Sequence, residues 1–260
     1  MIDYKSPADL DRMRRAGRIV VATIERVLEA VRPGGTTADL DAVAEAFIRE
    51  QGAIPSFKGY GSPPFPGSIC ASLNDEVVHG IPMPKRVLRE GDLLSLDFGA
   101  IWEGFHGDSA VSVFVGEPPS PEAEKLVRVT EEALEAGISQ IRPGARLSDI
   151  GAAVQQVAEG AGFSVVREYV GHGIGRNLHE DPQIANYGEP GRGPQLKPGL
   201  VLAVEPMVNM GGWETRVLAD DWTVVTSDGS LSAHFEHTIA VTEDGHEVLT
   251  RRGQIPTNGA

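Results

Sequence analysis

The chain of 260 residues has a single cysteine, Cys70, so no disulfide can form within it. This scarcity fits a reducing compartment and excludes zinc sites built from several cysteines. Basic residues are also few: 23 Lys and Arg stand against 37 Asp and Glu, which gives a formal net charge of −14. Because this charge repels phosphate backbones and anionic lipids on average, we expect neither nucleic acid nor a membrane as a partner.

Long apolar runs are missing as well. The longest strongly apolar stretches, Ile19 to Ile24 and Leu200 to Val204, are far below membrane-spanning length, and the amino terminus has no apolar signal core. We therefore predict a cytoplasmic protein, and we expect it to be a monomer. With 41% hydrophobic residues, the chain can still bury a substantial core.

Four helices are predicted, each from a start signal followed by apolar residues at helical spacing. They begin at Ser6-Pro7, at Thr36, at Ser120-Pro121 and near Ser148. Runs rich in β-forming residues lie between them, so helices and strands are mixed. These runs are Ile69 to Leu73, Leu93 to Ala100, Ala110 to Val115, Leu200 to Glu205, Thr223 to Thr226 and Thr238 to Thr242.

The sequence also repeats itself. The segment Val31 to Leu40 returns 110 residues later, with an Arg-Pro-Gly turn in each copy. Asp97 and Glu205 end matching apolar segments, while Asp108 and Glu236 each precede a matching β-like run. Because the fragments keep the same order in both copies, we predict two half-domains, approximately residues 1–118 and 119–260, related by a pseudo-two-fold axis. Such an axis would bring the matched acids to one shared site.

These matched acids predict a metal centre. A carboxylate at the end of an apolar strand is costly to bury unless something neutralises it, and too few Lys or Arg are nearby. Oxygen ligands with one imidazole suit Mn²⁺, Fe²⁺, Co²⁺ or Zn²⁺, and two such ions about 3.5–4 Å apart can activate a shared water. The residues therefore predict a two-metal hydrolase. Its ligands are Asp97, Asp108, His172, Glu205 and Glu236.

Three motifs resemble those of type I methionine aminopeptidases: Asn74 to Pro82, Gly171 to Pro182 and Val204 to Asn209. The resemblance extends from Lys5 to about Leu249. It implies an α+β, pita-bread fold, in which a single catalytic domain with duplicated halves has a curved antiparallel sheet backed by helices. It also implies that the five predicted ligands bind two divalent ions. Asp108 and Glu236 would each bridge both ions.

The resemblance further implies roles for other side chains. His79 and His179 would face the substrate and take part in catalysis, and Glu205 would relay a proton besides binding metal. The methionine side chain of the substrate would occupy an apolar pocket. This pocket would be lined by Tyr60, Phe65, Cys70 and Trp222.

Two departures from the family pattern concern the shape of this pocket and its inhibitor preference. Leu178 stands where a Phe is often found. The Ser62-Pro63-Pro64 segment lengthens the loop beside the pocket.

The expected function is N-terminal methionine excision, acting on nascent proteins and peptides whose second residue is small. Two alternatives share the fold: an X-Pro peptidase of the prolidase or aminopeptidase P type, and a non-catalytic peptide-binding relative. X-Pro peptidases usually carry a separate amino-terminal domain, whereas only 78 residues precede His79 here. Non-catalytic relatives typically lose ligands, whereas this chain keeps all five.

Overall fold

The computed structural model describes residues 1–253, and this part of the chain contains four helices and fifteen strands. Each helix begins within one residue of its predicted start. Capping boxes join Ser6 to Asp9 and Thr36 to Asp39, and the Ser120 hydroxyl accepts a hydrogen bond from the backbone of the third helix. The helices are α1 (Pro7–Leu28), α2 (Thr37–Glu50), α3 (Pro121–Ile138) and α4 (Leu147–Gly160).

The strands pair antiparallel throughout the described residues. They are β1 (Ile54–Pro55), β2 (Ile69–Leu73), β3 (Glu76–Val78), β4 (Leu93–Trp102), β5 (Phe105–Phe114), β6 (Ser164–Val165), β7 (Gly171–Gly173), β8 (Glu180–Ile184), β9 (Val201–Val204), β10 (Met207–Asn209), β11 (Thr215–Val217), β12 (Val224–Thr226), β13 (Ser232–His234), β14 (His237–Val241) and β15 (His246–Val248).

Hydrogen bonding divides these strands into four sheets. A four-stranded sheet contains β1, β4, β2 and β5, and a five-stranded sheet has the order β15-β14-β9-β7-β8. Two further sheets have three strands each, in the orders β13-β10-β6 and β11-β12-β3. The predicted antiparallel pairing is thus present, but the hydrogen bonds form four sheets rather than one continuous sheet. The strands of the two smaller sheets are only two or three residues long.

The helices cover these sheets through a shared apolar core. Val20 and Ile24 of α1 are fully buried with Leu96 and Phe98 of β4, and Ile150 of α4 belongs to the same cluster. No helix within residues 1–253 is both long enough and apolar enough to cross a membrane.

The repeat seen in the sequence is matched by hydrogen bonds in the structure. An isolated antiparallel bridge pairs Thr36 with Val87, and a second pairs Arg146, which lies 110 residues after Thr36, with Gln195. The amide of Gly34 donates a hydrogen bond of 2.9 Å to the Leu88 carbonyl. The amide of Gly144 donates one of the same length to the Leu196 carbonyl. Each Arg-Pro-Gly turn therefore docks on the segment that leads into its own acid-bearing strand.

Two predicted strand boundaries differ from the structure, and the first difference matters for the site. The strand predicted from Ala110 begins five residues earlier, at Phe105, so Asp108 lies inside β5 rather than just before it. The strand predicted to end at Ala100 continues to Trp102. The polar residues around Asp108 lack a strand pattern of their own. They are drawn into β5 because every residue from Phe105 to Phe114 pairs with β4.

Candidate metal centre and substrate pocket

Two strand pairs carry the four acids. Asp97 on β4 and Asp108 on β5 belong to one pair, and Glu205 and Glu236 lie at the adjoining ends of β9 and β14. The two pairs are joined directly beside the acids: the Thr238 hydroxyl donates to the Asp108 carbonyl at 2.7 Å. The Asp108 amide donates back to the same hydroxyl at 3.0 Å. These bonds bring the acids of the two predicted halves together.

A second set of bonds completes the junction. The Ser109 hydroxyl donates to the Glu236 carbonyl at 2.6 Å, and the Glu236 amide donates to the Ala110 carbonyl at 3.1 Å. The backbones of Asp108 and Glu236 are therefore fixed by bonds across the junction, so the positions of both acids depend on the docking of the two predicted halves.

His172 completes the cluster from β7. Its Nδ1 lies 2.9 Å from the Gly173 carbonyl, which can only accept, so Nδ1 carries the proton and Nε2 presents a lone pair. That Nε2 is 3.4 Å from Oε1 of Glu205. One ligand atom from each of Asp108, His172 and Glu236 lies within 4.8 Å of the others.

The flanking glycines allow this placement of His172. A Cβ on Gly171 would lie 2.4 Å from the Ala203 carbonyl oxygen, and a Cβ on Gly173 would lie 2.2 Å from the Asp181 carbonyl oxygen. Only glycine lets β7 pass this close to its neighbours.

The chemistry of the donor set fits divalent cations. Within residues 1–253, Oδ1 of Asp97, Oδ1 of Asp108 and Oε1 of Glu236 are buried without a hydrogen-bond partner. Burial raises the pKa of Asp97 to about 7. Burial, together with neighbouring carboxylates, raises the pKa values of Asp108, Glu205 and Glu236 well above their ordinary range. Unpartnered carboxylates in so apolar a setting require a cation or a proton.

A cavity of about 190 Å³ opens on these acids. All eleven predicted site residues line it, and so do Leu178 and Phe57, the latter a residue that the sequence analysis did not single out. Phe65 and Trp222 form its apolar wall, with ring centroids 5.2 Å apart and nearly perpendicular planes. Gly61 fits against this wall, because a Cβ there would lie 2.5 Å from the Trp222 ring.

Cys70 lines the cavity as a thiol. It is buried on β2, where desolvation and the carboxylate of Asp97 raise the pKa of the thiol well above its usual value. A protonated thiol is a small apolar side chain and a poor nucleophile. This setting supports the predicted role of pocket lining.

Tyr60 does more than the predicted apolar lining. Its hydroxyl lies 2.6 Å from Nδ1 of His179, and its side chain remains 40% exposed at the mouth of the cavity. The ring of His179 in turn lies 4.3 Å from that of His172, measured between centroids. Desolvation lowers the pKa of His179, so the imidazole is neutral at neutral pH.

His79 also lines the cavity. Its backbone has a φ of 61°, a left-handed conformation that costs energy for a residue with a Cβ. The ring packs edge-on against Trp222 and Tyr169, at centroid distances of 5.9 Å and 5.8 Å. Burial and the neighbouring His179 lower the pKa of His79 to about 4, so it too is neutral.

His234 was not predicted as a site residue, although it precedes Glu236 by two residues, just as His106 precedes Asp108. His234 is fully buried, and its Nε2 lies 3.9 Å from Oε2 of Glu205. Burial and the neighbouring His79 lower its pKa to about 3. His234 therefore presents a neutral imidazole to Glu205.

The chain is similar to known metallopeptidases. The sequence profile of metallopeptidase family M24 matches residues 11–243. Methionine aminopeptidase 1 of Bacillus subtilis is 57% identical over 251 residues, which cover 96% of this chain and the whole of that protein. The crystal structure of a methionine aminopeptidase from Thermotoga maritima superposes with a TM-score of 0.94 at 46% identity, covering 97% of this chain and all of the other.

More distant structures share the fold. Prolidase from Pyrococcus furiosus superposes with a TM-score of 0.76 at 21% identity, over 96% of this chain and 66% of its own. The architecture predicted from the sequence, the pita-bread fold, is confirmed by these similarities.

Proposed function

The chain belongs to metallopeptidase family M24 and groups with its methionine aminopeptidases, and from this premise we propose that it removes the amino-terminal methionine from nascent proteins and peptides whose second residue is small. The observation that carries the proposal is that one cavity combines a cluster of acids with an apolar surface. The cavity is lined by the four acids and His172, and also by Phe65, Cys70 and Trp222. A thioether side chain fits the apolar surface.

Asp97, Asp108, His172, Glu205 and Glu236 would hold two divalent ions. When bound, such ions supply Lewis acidity, which activates water as a nucleophile and polarises a carbonyl group. The identity of the ions, among Co²⁺, Mn²⁺, Fe²⁺ and Zn²⁺, belongs to the proposal, as does their number.

Glu205 would take up the proton that the attacking water loses. Its carboxylate lines the cavity together with the other four predicted ligands, and this position beside the proposed ions supports the role. Its Oε2 lies 3.9 Å from Nε2 of His234, and its Oε1 lies 3.4 Å from Nε2 of His172, so two imidazoles lie beside the carboxylate.

His179 would donate a hydrogen bond to the substrate carbonyl oxygen as negative charge develops on it. Burial raises the pKa of the Tyr60 phenol, which is therefore protonated and is assigned as the donor to Nδ1. The single proton of the neutral imidazole is then left on Nε2. His79 would contact the scissile amide nitrogen or its flanking backbone.

The test is hydrolysis of a matched peptide panel by metal-reconstituted protein. Met-Gly, Met-Ala and Met-Ser peptides should be cut, whereas Met-Lys, Met-Phe and N-formyl-Met peptides should be spared. Asp108→Asn is the matched control, since it keeps the volume of a buried ligand but removes its charge. Cleavage of Xaa-Pro bonds with other first residues would place the chain with the X-Pro peptidases, and no cleavage by fully metallated protein would favour a binding role.

A further inference from the structure

A buried ion pair lies directly beside His179. The Lys5 ammonium is 2.5 Å from Oε2 of Glu180 and 2.9 Å from Oδ2 of Asp3. The Lys5 side chain is only 2% exposed and that of Glu180 is 11% exposed. Glu180 is both the first residue of β8 and the residue that follows His179 along the chain.

The pair packs tightly on the loop that carries His179. A Cβ on Gly175 would lie 2.2 Å from Cε of Lys5 and 2.8 Å from Oε1 of Glu180. That same Oε1 accepts a hydrogen bond of 3.1 Å from the amide of Asn177. One carboxylate thus binds the loop in its middle and at its end, and Lys5 neutralises that carboxylate.

Lys5 is itself fixed to rigid parts of the fold. Its amide donates to the Gly199 carbonyl at 2.7 Å, just before β9, and the next residue, Ser6, caps α1. A buried charge that loses its partner is strongly unfavourable, so this pair tolerates little displacement. Movement of the loop relative to β9 and α1 would separate the two charges.

We propose that Lys5 is a positioning residue for the reaction: through Glu180 it holds the loop 175–180 so that His179 stays in contact with Tyr60 and His172. The inference deepens the proposed function and rests on the role assigned there to His179. A misplacement of about 1 Å in a catalytic group can lower a rate by about 10²-fold. The effect of losing the ion pair should therefore appear in kcat.

The first test is a kinetic cycle on a Met-Ala peptide with metal-reconstituted protein. Lys5→Met, which keeps an unbranched side chain without the charge, should lower kcat by about 10- to 10²-fold and change KM far less. Lys125→Met is the matched control, because Lys125 lies on α3, is 37% exposed and pairs with Glu122 at 3.6 Å. This control should retain the parent kcat.

The same substitution is then made in a His179→Ala background. If Lys5 acts through His179, Lys5→Met should have little further effect on kcat there, because the group it positions is already gone. An equal fold loss of kcat in both backgrounds would mean a general structural role and would overturn the inference. So would a parent-like kcat for Lys5→Met.

The second test needs no peptide. The imidazole ¹H–¹⁵N signals of metal-free protein identify His179 by the signal lost in His179→Ala, and Lys5→Met should shift that signal while Lys125→Met leaves it in place. If Lys5→Met does not fold, Glu180→Gln takes its place, since it keeps an acceptor for Asn177 but removes the charge. An unmoved signal overturns the inference. A parent protein that cuts no Met peptide but shows the shift would instead contradict the proposed function alone.

Discussion

Removing one buried carboxylate should make the metal-free protein more stable at neutral pH. Desolvation raises the pKa of Asp97 from 3.8 to about 7, so the folded chain keeps a proton that the unfolded chain releases. The stability that depends on this proton is fully present below about pH 4 and is lost as the pH rises to about 7. At about 1.4 kcal/mol per unit, the loss at neutral pH reaches about 4 kcal/mol.

Asp97→Asn isolates this effect from the histidines, which act in the opposite direction. Burial lowers the pKa values of His172 and His234 to about 3, so both destabilise the fold as the pH falls below about 6.5, when the unfolded chain becomes protonated. Parent and variant share these histidines, so their contribution cancels in the difference. The free energy of unfolding of the variant should exceed that of the parent by an amount that grows by about 2 kcal/mol between about pH 5.5 and about pH 7. This corresponds to roughly 4–8 °C in Tm.

The assay is urea or thermal unfolding of both proteins at several pH values in the presence of a chelator, followed by near-UV circular dichroism. Saturating metal supplies the control: the parent should then become the more stable protein, because Asp97→Asn has one carboxylate fewer for the cations. A difference between the two proteins that does not change with pH would refute the reasoning, and so would a metal-free parent that is the more stable at pH 7.

Three further outcomes are expected. Chelation should abolish peptidase activity, and Mn²⁺, Co²⁺ or Fe²⁺ should restore it, with the metal content of each sample measured by elemental analysis. Undiminished turnover by metal-free protein would contradict the two-metal proposal. His179→Ala should lower kcat by about 10²-fold or more at nearly unchanged Tm, and Tyr60→Phe should lower it in the same direction by less, since only the orienting bond is lost. Gly61→Ala should raise KM for Met peptides, because the φ of 78° disfavours alanine and its Cβ would meet Trp222; a parent-like KM would mean that the loop adapts freely.

The helices were predictable because their signals are local. Ser6 with Asp9 and Thr36 with Asp39 form capping boxes that lie within three residues of one another, and the structure contains both. Strand limits depend instead on partners elsewhere in the chain. The start of β5 at Phe105 was missed because its polar residues become a strand only through pairing with β4.

The site residues were predictable by chemistry, and the contacts among them were not. Buried acids repeated in matching positions indicate a metal centre from the sequence alone, since few other features explain them. The hydroxyl of Tyr60 meets His179 across 119 residues, and Lys5 meets Glu180 across 175. No periodicity or motif spacing reports such pairs, because they arise only when the folded elements pack.

The junction between the halves explains why the repeated acids are so informative. Asp108 is held through Thr238 of the other half, and the Glu236 carbonyl accepts the hydroxyl of Ser109, so neither acid reaches its place until the two halves dock. Without a cation, docking forces the acids either to stay charged beside one another or to take up protons, and both oppose docking at neutral pH. Cations bound between the predicted halves would remove that opposition. The acids that supply the proposed chemistry therefore also couple metal binding to the assembly of the fold.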